Sequence, residues 1–260
     1  MKMKISPEQE SQESQEPREA MAQHPIQHHP TDDMLESFAR RELPAGMSVI
    51  VSAHIEMCGL CRARVREFEA REMREWGGAP ELARMAAHID GEEVDFGDMI
   101  ERITTLPRQG AEAAAAREAS AAGPQDRFIK DLRLPRALRR AATRLRWTRL
   151  AEGIHQAVVP IDGETRCEFI HIAAGAATPA HSHYGREHTL VLQGRFHDEL
   201  GSYGNGDFLL RNASHEHQPA SDEGCLSFAV LDQPLRFTRG LSRLLNPINR
   251  LRFRAGLGSR

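Results

Sequence analysis

Cysteine, aromatic residues and long apolar runs are all scarce in this chain, and each scarcity narrows what the chain can be. Four cysteines (Cys58, Cys61, Cys167, Cys225) in 260 residues are too few and too scattered for a disulfide scaffold. Two of them form a Cys-x-x-Cys pair, which favours a reducing compartment and metal or redox use. No stretch approaches the roughly 20 apolar residues that a membrane span needs. Residues 1–26, rich in Gln and Glu, contain no apolar core of a secretory signal. A formal net charge of −3 gives no global case for nucleic-acid or membrane binding. The expectation is a soluble cytoplasmic protein with no membrane association and no direct nucleic-acid contact.

Aromatics make up only 5% of the chain, but 40% of it is hydrophobic, enough for two modest domains. Residues 1–26 read as a disordered arm. From 27 to 107 the pattern is helical. Thr31 caps an apolar spacing of Met34, Leu35 and Phe38 that ends by Pro44. Residues 45–56 form a second, apolar helix. Cys58 to Trp76 reads as a partly exposed helix ended by Gly77-Gly78. Phe96, Met99, Ile100 and Ile103 mark a fourth helix over 95–105. Residues 108–134 read as a linker, overlapped by a basic stretch over 127–149 best taken as a solvated helix face. A nucleic-acid patch there lacks interleaved aromatics beyond Trp147. Residues 135–240 carry short apolar runs broken by Gly, Asp, Asn and Pro every ten residues or so, the cadence of an antiparallel barrel or sandwich. Residues 241–260 are a basic tail that stays loose or adds a short helix near Leu244. The expected fold is therefore α+β and multidomain: a small N-terminal helical bundle, then an all-β barrel.

Inside the β region, the spacing Gly175-x5-His181-x-His183-x3-Glu187-x6-Gly194 is the strongest signal. Alternate residues of a strand share a face, so His181 and His183 point the same way, and Glu187 is in phase with them. A second stretch, Gly206-x5-Asn212-x-Ser214-x2-His217, supplies a further imidazole. His215 is in phase with His217 and could replace it. Three imidazoles and a carboxylate suit a borderline divalent ion. His188 and His197 have no such support and read as solvated.

His54-x3-Cys58-x2-Cys61 is a second cluster of metal-type ligands. On a helix, positions i, i+4 and i+7 share one face, and a break near Met57 would equally let the Cys pair start the next helix. Thiolates with an imidazole suit tetrahedral zinc, which needs a fourth ligand. His29, opening the first helix, is the best candidate, with His28 as the fallback. A dithiol switch is the other reading of the pair.

The β-region spacing resembles the cupin metal motif, with Asn212 and Ser214 standing where cupins usually carry Pro and Gly. The run HIEMCGLCRAR with His29 resembles the zinc-binding anti-sigma factors. Joined to a C-terminal cupin, it resembles their ChrR-type subfamily. That resemblance implies a regulator that binds and inhibits an extracytoplasmic-function sigma factor through its N-terminal helices. It also implies release of that factor on oxidative stress, singlet oxygen or organic hydroperoxides, sensed by the cupin. It implies Zn2+ on His29, His54, Cys58 and Cys61, and Zn2+, iron or manganese on His181, His183, Glu187 and His217. Met34, Leu35, Phe38, Met99 and Ile103 are the candidates for the sigma-facing surface. The chain departs from relatives at Gly224-Cys225-Leu226-Ser227, which carries one cysteine where a pair can occur, so sensing that needs two thiols there is in doubt. The rival is a cupin metalloenzyme, a dioxygenase or isomerase, with a zinc-stabilised helical appendage. A DNA-binding regulator using the Arg-rich stretch is a more distant one.

Overall fold

The computed structural model describes residues 25–77, 101, 105, 128, 129, 132–139 and 141–255. The expected fourth helix, apart from positions 101 and 105, lies outside them. So do most of the expected arm and linker.

Three helices form where the apolar spacing places them. In α1 (Asp32–Ala39), Thr31 Oγ1 accepts from Met34 N at 3.3 Å and two aspartates occupy the first turn. The next helix, α2 (Ala45–Met57), is apolar almost all round, and Ile50, Val51, Ala53 and His54 are fully buried in it, as such a helix must be. A break at Cys58 separates it from α3 (Gly59–Gly77), which turns Val65 and Phe68 inward and charge outward. Ion pairs Arg64–Asp32 and Arg40–Glu72, both at 2.7 Å, tie α3 to α1. The described part of the basic stretch is a short α4 (Arg136–Arg139), a 3-10 turn (Ala141–Arg144) and the start of a strand, not one helix. Buried Leu134 and Leu138 anchor it in the core, which Pro135 and the apolar spacing favour over a continuous solvated face.

Eleven strands follow among the described residues. They are β1 (Trp147–Ala151), β2 (Ile154–Val159), β3 (Arg166–Ile172), β4 (Ala176–Ala177), β5 (His181–His183) and β6 (Glu187–Asp198). Then come β7 (Gly201–Gly204), β8 (Phe208–Arg211), β9 (Ala220–Ser221), β10 (Cys225–Leu231) and β11 (Leu235–Phe237). The main sheet runs β1-β2-β3-β10-β6-β9-β4, with β7 and β8 also pairing β6, and β11 pairs β5 separately. Long β6 bends from one wall to the other: its first half pairs β8 and β10, its second half β7 and β9. At that bend the motif glycine Gly194 has φ +72°, and a Cβ there would lie 2.0 Å from Gly224 O.

The sheet has two buried faces. One turns Ile154, Ile172, Val191, Leu209 and Cys225 into the barrel. The other packs Cys167, Phe169, Leu190, Leu226, Phe228 and Val230 against Leu35, Ile50, Val51, Val65 and Phe68 of the helices. Helices and barrel therefore share one hydrophobic core. Leu35, a candidate for the sigma-facing surface, belongs to that core at 2% exposure, and Met34 and Phe38 pack on it.

His188 is not solvated. It alternates with Glu187 onto the helix-facing side of β6, is 6% exposed and stacks near Phe208. Burial lowers its pKa from 6.5 to about 4. An imidazole depressed in the folded state lowers stability as pH falls, because the unfolded chain takes up the proton first. That loss begins near pH 6.5 and levels off near pH 4. Replacing His188 with Leu should therefore leave a chain that outperforms the wild type increasingly toward acid, by about 2 kcal/mol at pH 5 relative to pH 8. Thermal melts of both chains across that range test it.

The tail is more ordered than its composition suggests. A 3-10 turn (Leu241–Leu245) leads into α5 (Asn246–Ala255). Asn246 bonds both N–H and C=O of Phe237, Asn249 Nδ2 donates to Leu235 O, and Phe253 is buried beside Leu231. Among the described residues, no helix is long and apolar enough to cross a membrane.

Candidate metal centres

Two groups of ligand-type side chains assemble, one in each part of the fold. His29, His54, Cys58 and Cys61 bring one ligand atom each within 4.8 Å of the others. The α2–α3 break places the two cysteines, α2 supplies His54 one turn earlier, and the entry to α1 supplies His29. His29 Nδ1 lies 3.5 Å from Cys58 Sγ and 3.4 Å from Cys61 Sγ. Two ligands of a tetrahedral zinc, at about 2.3 Å for sulfur and 2.0–2.1 Å for nitrogen, stand about 3.5 Å apart. The spacing fits an ion between them. Cys61 N donates to Cys58 Sγ, which would support a thiolate there. Without an ion, burial and the neighbouring Cys58 push the Cys61 thiol up to about 12.

His54 carries the clearest sign. Its Nδ1 lies 3.0 Å from Gly206 O, and a carbonyl only accepts, so Nδ1 holds the proton. The fully buried Nε2 is then a lone pair with no hydrogen-bond partner among the described residues. A divalent ion would use that lone pair. Burial lowers the pKa of His54 from 6.5 to about 4, so the ring is neutral, as ligation requires. His28, the fallback, lies outside the cluster and packs its ring on Tyr203 at 5.0 Å.

In the barrel, His181, His183 and His217 converge. His181 and His217 exchange backbone hydrogen bonds at 3.0 and 2.9 Å, an isolated antiparallel bridge that fixes the two segments side by side. His183 Nε2 and His217 Nε2 are 3.1 Å apart. Adjacent nitrogens on one ion at 2.0–2.1 Å stand about 2.9 Å apart in octahedral and about 3.4 Å in tetrahedral geometry. The observed separation fits a shared ion of either kind. His181 Nδ1 is held by Pro179 O and His217 Nδ1 by Asp198 Oδ2, both at 2.9 Å, so each turns its other nitrogen toward the cluster. Burial and the charge of His217 lower His181 to about 4.

Glu187 stands beside this trio and outside its 4.8 Å group. Its Oε2 is 3.2 Å from His183 Nδ1, and its Oε1 accepts from Thr189 Oγ1 at 2.9 Å. Burial acts to raise its pKa, but the nearby imidazoles hold it below the usual value. His215 is excluded from the cluster because its Nδ1 accepts from Asn212 N. Asn212 Oδ1 also accepts from Ser214 N and Oγ, an Asx turn that takes the place of the Pro and Gly usual in this motif.

The sequence alone did not single out Asp198, whose side chain is fully buried. It accepts from His217, Arg211, Leu200 N and Tyr203 Oη, and these donors hold it well below the usual carboxylate range although burial opposes them. It also did not single out Glu168, 2% exposed, bonded by Arg166 Nε at 2.6 Å and by Gln156. The only signal for that pair is two charged residues in phase on an otherwise apolar strand. Both line a cavity of about 240 Å³ that also takes in His181, His217 and Glu187, with Ile248 and Phe253 of α5 above it. The two remaining cysteines lie on opposite sheet faces, Cys225 inside the barrel and Cys167 toward the helices, so they cannot act as a pair.

Residues 137–234 match the ChrR cupin-like domain family. The anti-sigma-E factor ChrR of Cereibacter sphaeroides is 33% identical over 228 residues, 87% of this chain and 99% of that protein. The crystal structure of Rhodobacter sphaeroides SigE in complex with the anti-sigma ChrR aligns with a TM-score of 0.52 and 27% identity, over 80% of this chain and 99% of that one.

Proposed function

The chain belongs to the ChrR family of anti-sigma factors, and from that membership we propose that it binds and inhibits an extracytoplasmic-function sigma factor in the cytoplasm. The similarity to a ChrR that was crystallised with SigE, spanning both helices and barrel, is the observation that carries this reading. The helices supply the capture surface. With Leu35 in the core, that surface falls to α3, where Leu60, Met73 and Trp76 are 65–70% exposed. Zinc on His29, His54, Cys58 and Cys61 fixes the angles between the helices. The barrel ion, zinc or iron or manganese, sits on His181, His183 and His217 with Glu187 closing the set, and when bound it supplies a Lewis-acidic or redox-active centre. Oxidative stress, as singlet oxygen or organic peroxide, is sensed there and loosens the shared core so that the sigma factor is released. No direct contact with DNA or membrane is involved.

Co-expression of the full chain with candidate sigma factors, followed by purification of the complex, tests capture. Stoichiometric recovery of one sigma factor is expected; recovery of none contradicts the reading. Glu187→Ala should keep sigma binding and blunt its release by oxidant, read as sigma-dependent transcription after exposure. Normal induction in that variant would remove the barrel from sensing. The cavity of about 240 Å³ beside the histidines favours a second reading, a cupin dioxygenase or isomerase. Oxygen consumption or substrate turnover by the metal-loaded chain would establish it.

A further inference from the structure

We infer that one corner of the barrel, Gly206-Asp207, positions the ligands of the N-terminal metal site, and that Tyr203 and Asp198 link this corner to the barrel's own histidine cluster. The inference rests on reading both clusters as metal sites.

The Asp207 side chain is fully buried and spends both oxygens on backbone N–H groups. Oδ1 accepts from Gln27 N at 2.8 Å and His28 N at 3.0 Å; Oδ2 accepts from Gly204 N at 2.8 Å. Phe208 N donates to His28 O at 2.9 Å, so residues 27–28 are clamped along the start of β8. His29 is the next residue, and its reach to the two sulfurs is set by that clamp. The adjacent Gly206 O holds His54 Nδ1, and the Phe208 ring meets the His54 ring edge-on at 5.6 Å. Two of the four candidate ligands are therefore oriented by barrel residues that lie about 150 to 180 positions away in sequence. Groups that orient metal ligands from behind in this way typically contribute 10–100-fold to metal affinity.

The same hairpin reaches the other cluster. Tyr203 packs its ring on His28, while its hydroxyl donates to Asp198 Oδ1 at 3.2 Å and accepts from Arg211 at 2.7 Å. Asp198 Oδ2 in turn holds His217. A continuous series of contacts, His217–Asp198–Tyr203–His28–His29, joins the two sites. A rearrangement at His217 that frees Asp198 changes what Tyr203 can hold, and Tyr203 rests on the segment that carries His29.

Cobalt(II) tests this in the full chain, because only the site containing Cys58 and Cys61 gives thiolate-to-cobalt charge-transfer absorption. Competition against a chelator of known affinity then measures that site alone. Asp207→Ala should weaken it roughly 10–100-fold. Asp207→Asn, which keeps an acceptor for Gln27 and His28, should recover most of the loss. His217→Ala, which leaves the helices and the clamp intact, should weaken the thiolate site roughly fivefold or more, the usual lower bound of coupling between sites. Wild-type cobalt affinity in folded Asp207→Ala would overturn the positioning role. Should that variant not fold, wild-type affinity in His217→Ala would overturn the link between the two sites, and with it the proposal. A wild-type chain with no thiolate band would instead show that the N-terminal cluster is no metal site, a different failure.

Discussion

Replacing Cys58 and Cys61 together with Ser should unfold the N-terminal helices and free the sigma factor. Cys58 and Cys61 are 4% and 2% exposed, and His54 between α1 and the barrel is fully buried. A structural zinc site contributes roughly 10–16 kcal/mol of apparent binding, as much as the whole stability of an ordinary domain. Without the ion, the buried His54 Nε2 is left unsatisfied, a penalty of about 1–3 kcal/mol, and two serine hydroxyls enter an apolar core. The three helices have little else of their own: their apolar side chains close against the sheet, and the ion pairs between α1 and α3 lie largely exposed, where each adds about 0–1 kcal/mol. Loss of helical circular dichroism, loss of one equivalent of metal and full sigma-dependent transcription should appear together. A double variant that still inhibits transcription would contradict the expectation.

Gly46→Val should separate helices from barrel without touching any candidate ligand. A Cβ at Gly46 would sit 2.2 Å from Thr165 Oγ1 and 2.7 Å from Cys167 Sγ, so the first turn of α2 cannot keep its seat with any larger residue. The same seat includes the bond from Gly46 N to Asp162 Oδ2 at 2.7 Å, and that carboxyl in turn holds Thr165. Both anchors shift when α2 moves. Overpacking of this kind typically costs about 1–3 kcal/mol, and at the upper end lowers the Tm by roughly 6–12 °C. Hydrogen exchange should rise in α2 and along the helix-facing side of β10. An unchanged melting temperature with unchanged exchange would mean that the helices do not depend on this contact.

Local signals carried much of the architecture. Thr31, the apolar run of α2 and Gly77 delimit helices by side-chain chemistry that acts within one turn, so they are legible in isolation. The β spacing His181-x-His183 is legible for the same reason, one strand positioning both; His54, Cys58 and Cys61 straddle the α2–α3 break, and their closeness in sequence is what makes them legible. The choice of His29 over His28 follows instead from a contact between distant segments, the Asp207 clamp, and that of His217 over His215 from the side-chain geometry of the local Asn212 turn. His188 reads as solvated in sequence because its strand is buried on both faces, and alternation then does not separate solvent from core. Asp198, Asp207 and Glu168 are ordinary acidic residues in sequence. Their importance comes from what the fold lays against them. Leu35 looks like any exposed helix apolar residue until the sheet that covers it is in place.

The most direct test is purification of the untagged full chain with its sigma factor, comparing wild type with Cys58→Ser/Cys61→Ser and assaying zinc and sigma in the same fractions. One sigma factor per chain, with zinc retained in the wild type and both lost in the double variant, is the expected result. A double variant that holds its sigma factor without zinc would contradict the claim that metal on these four residues builds the capturing surface.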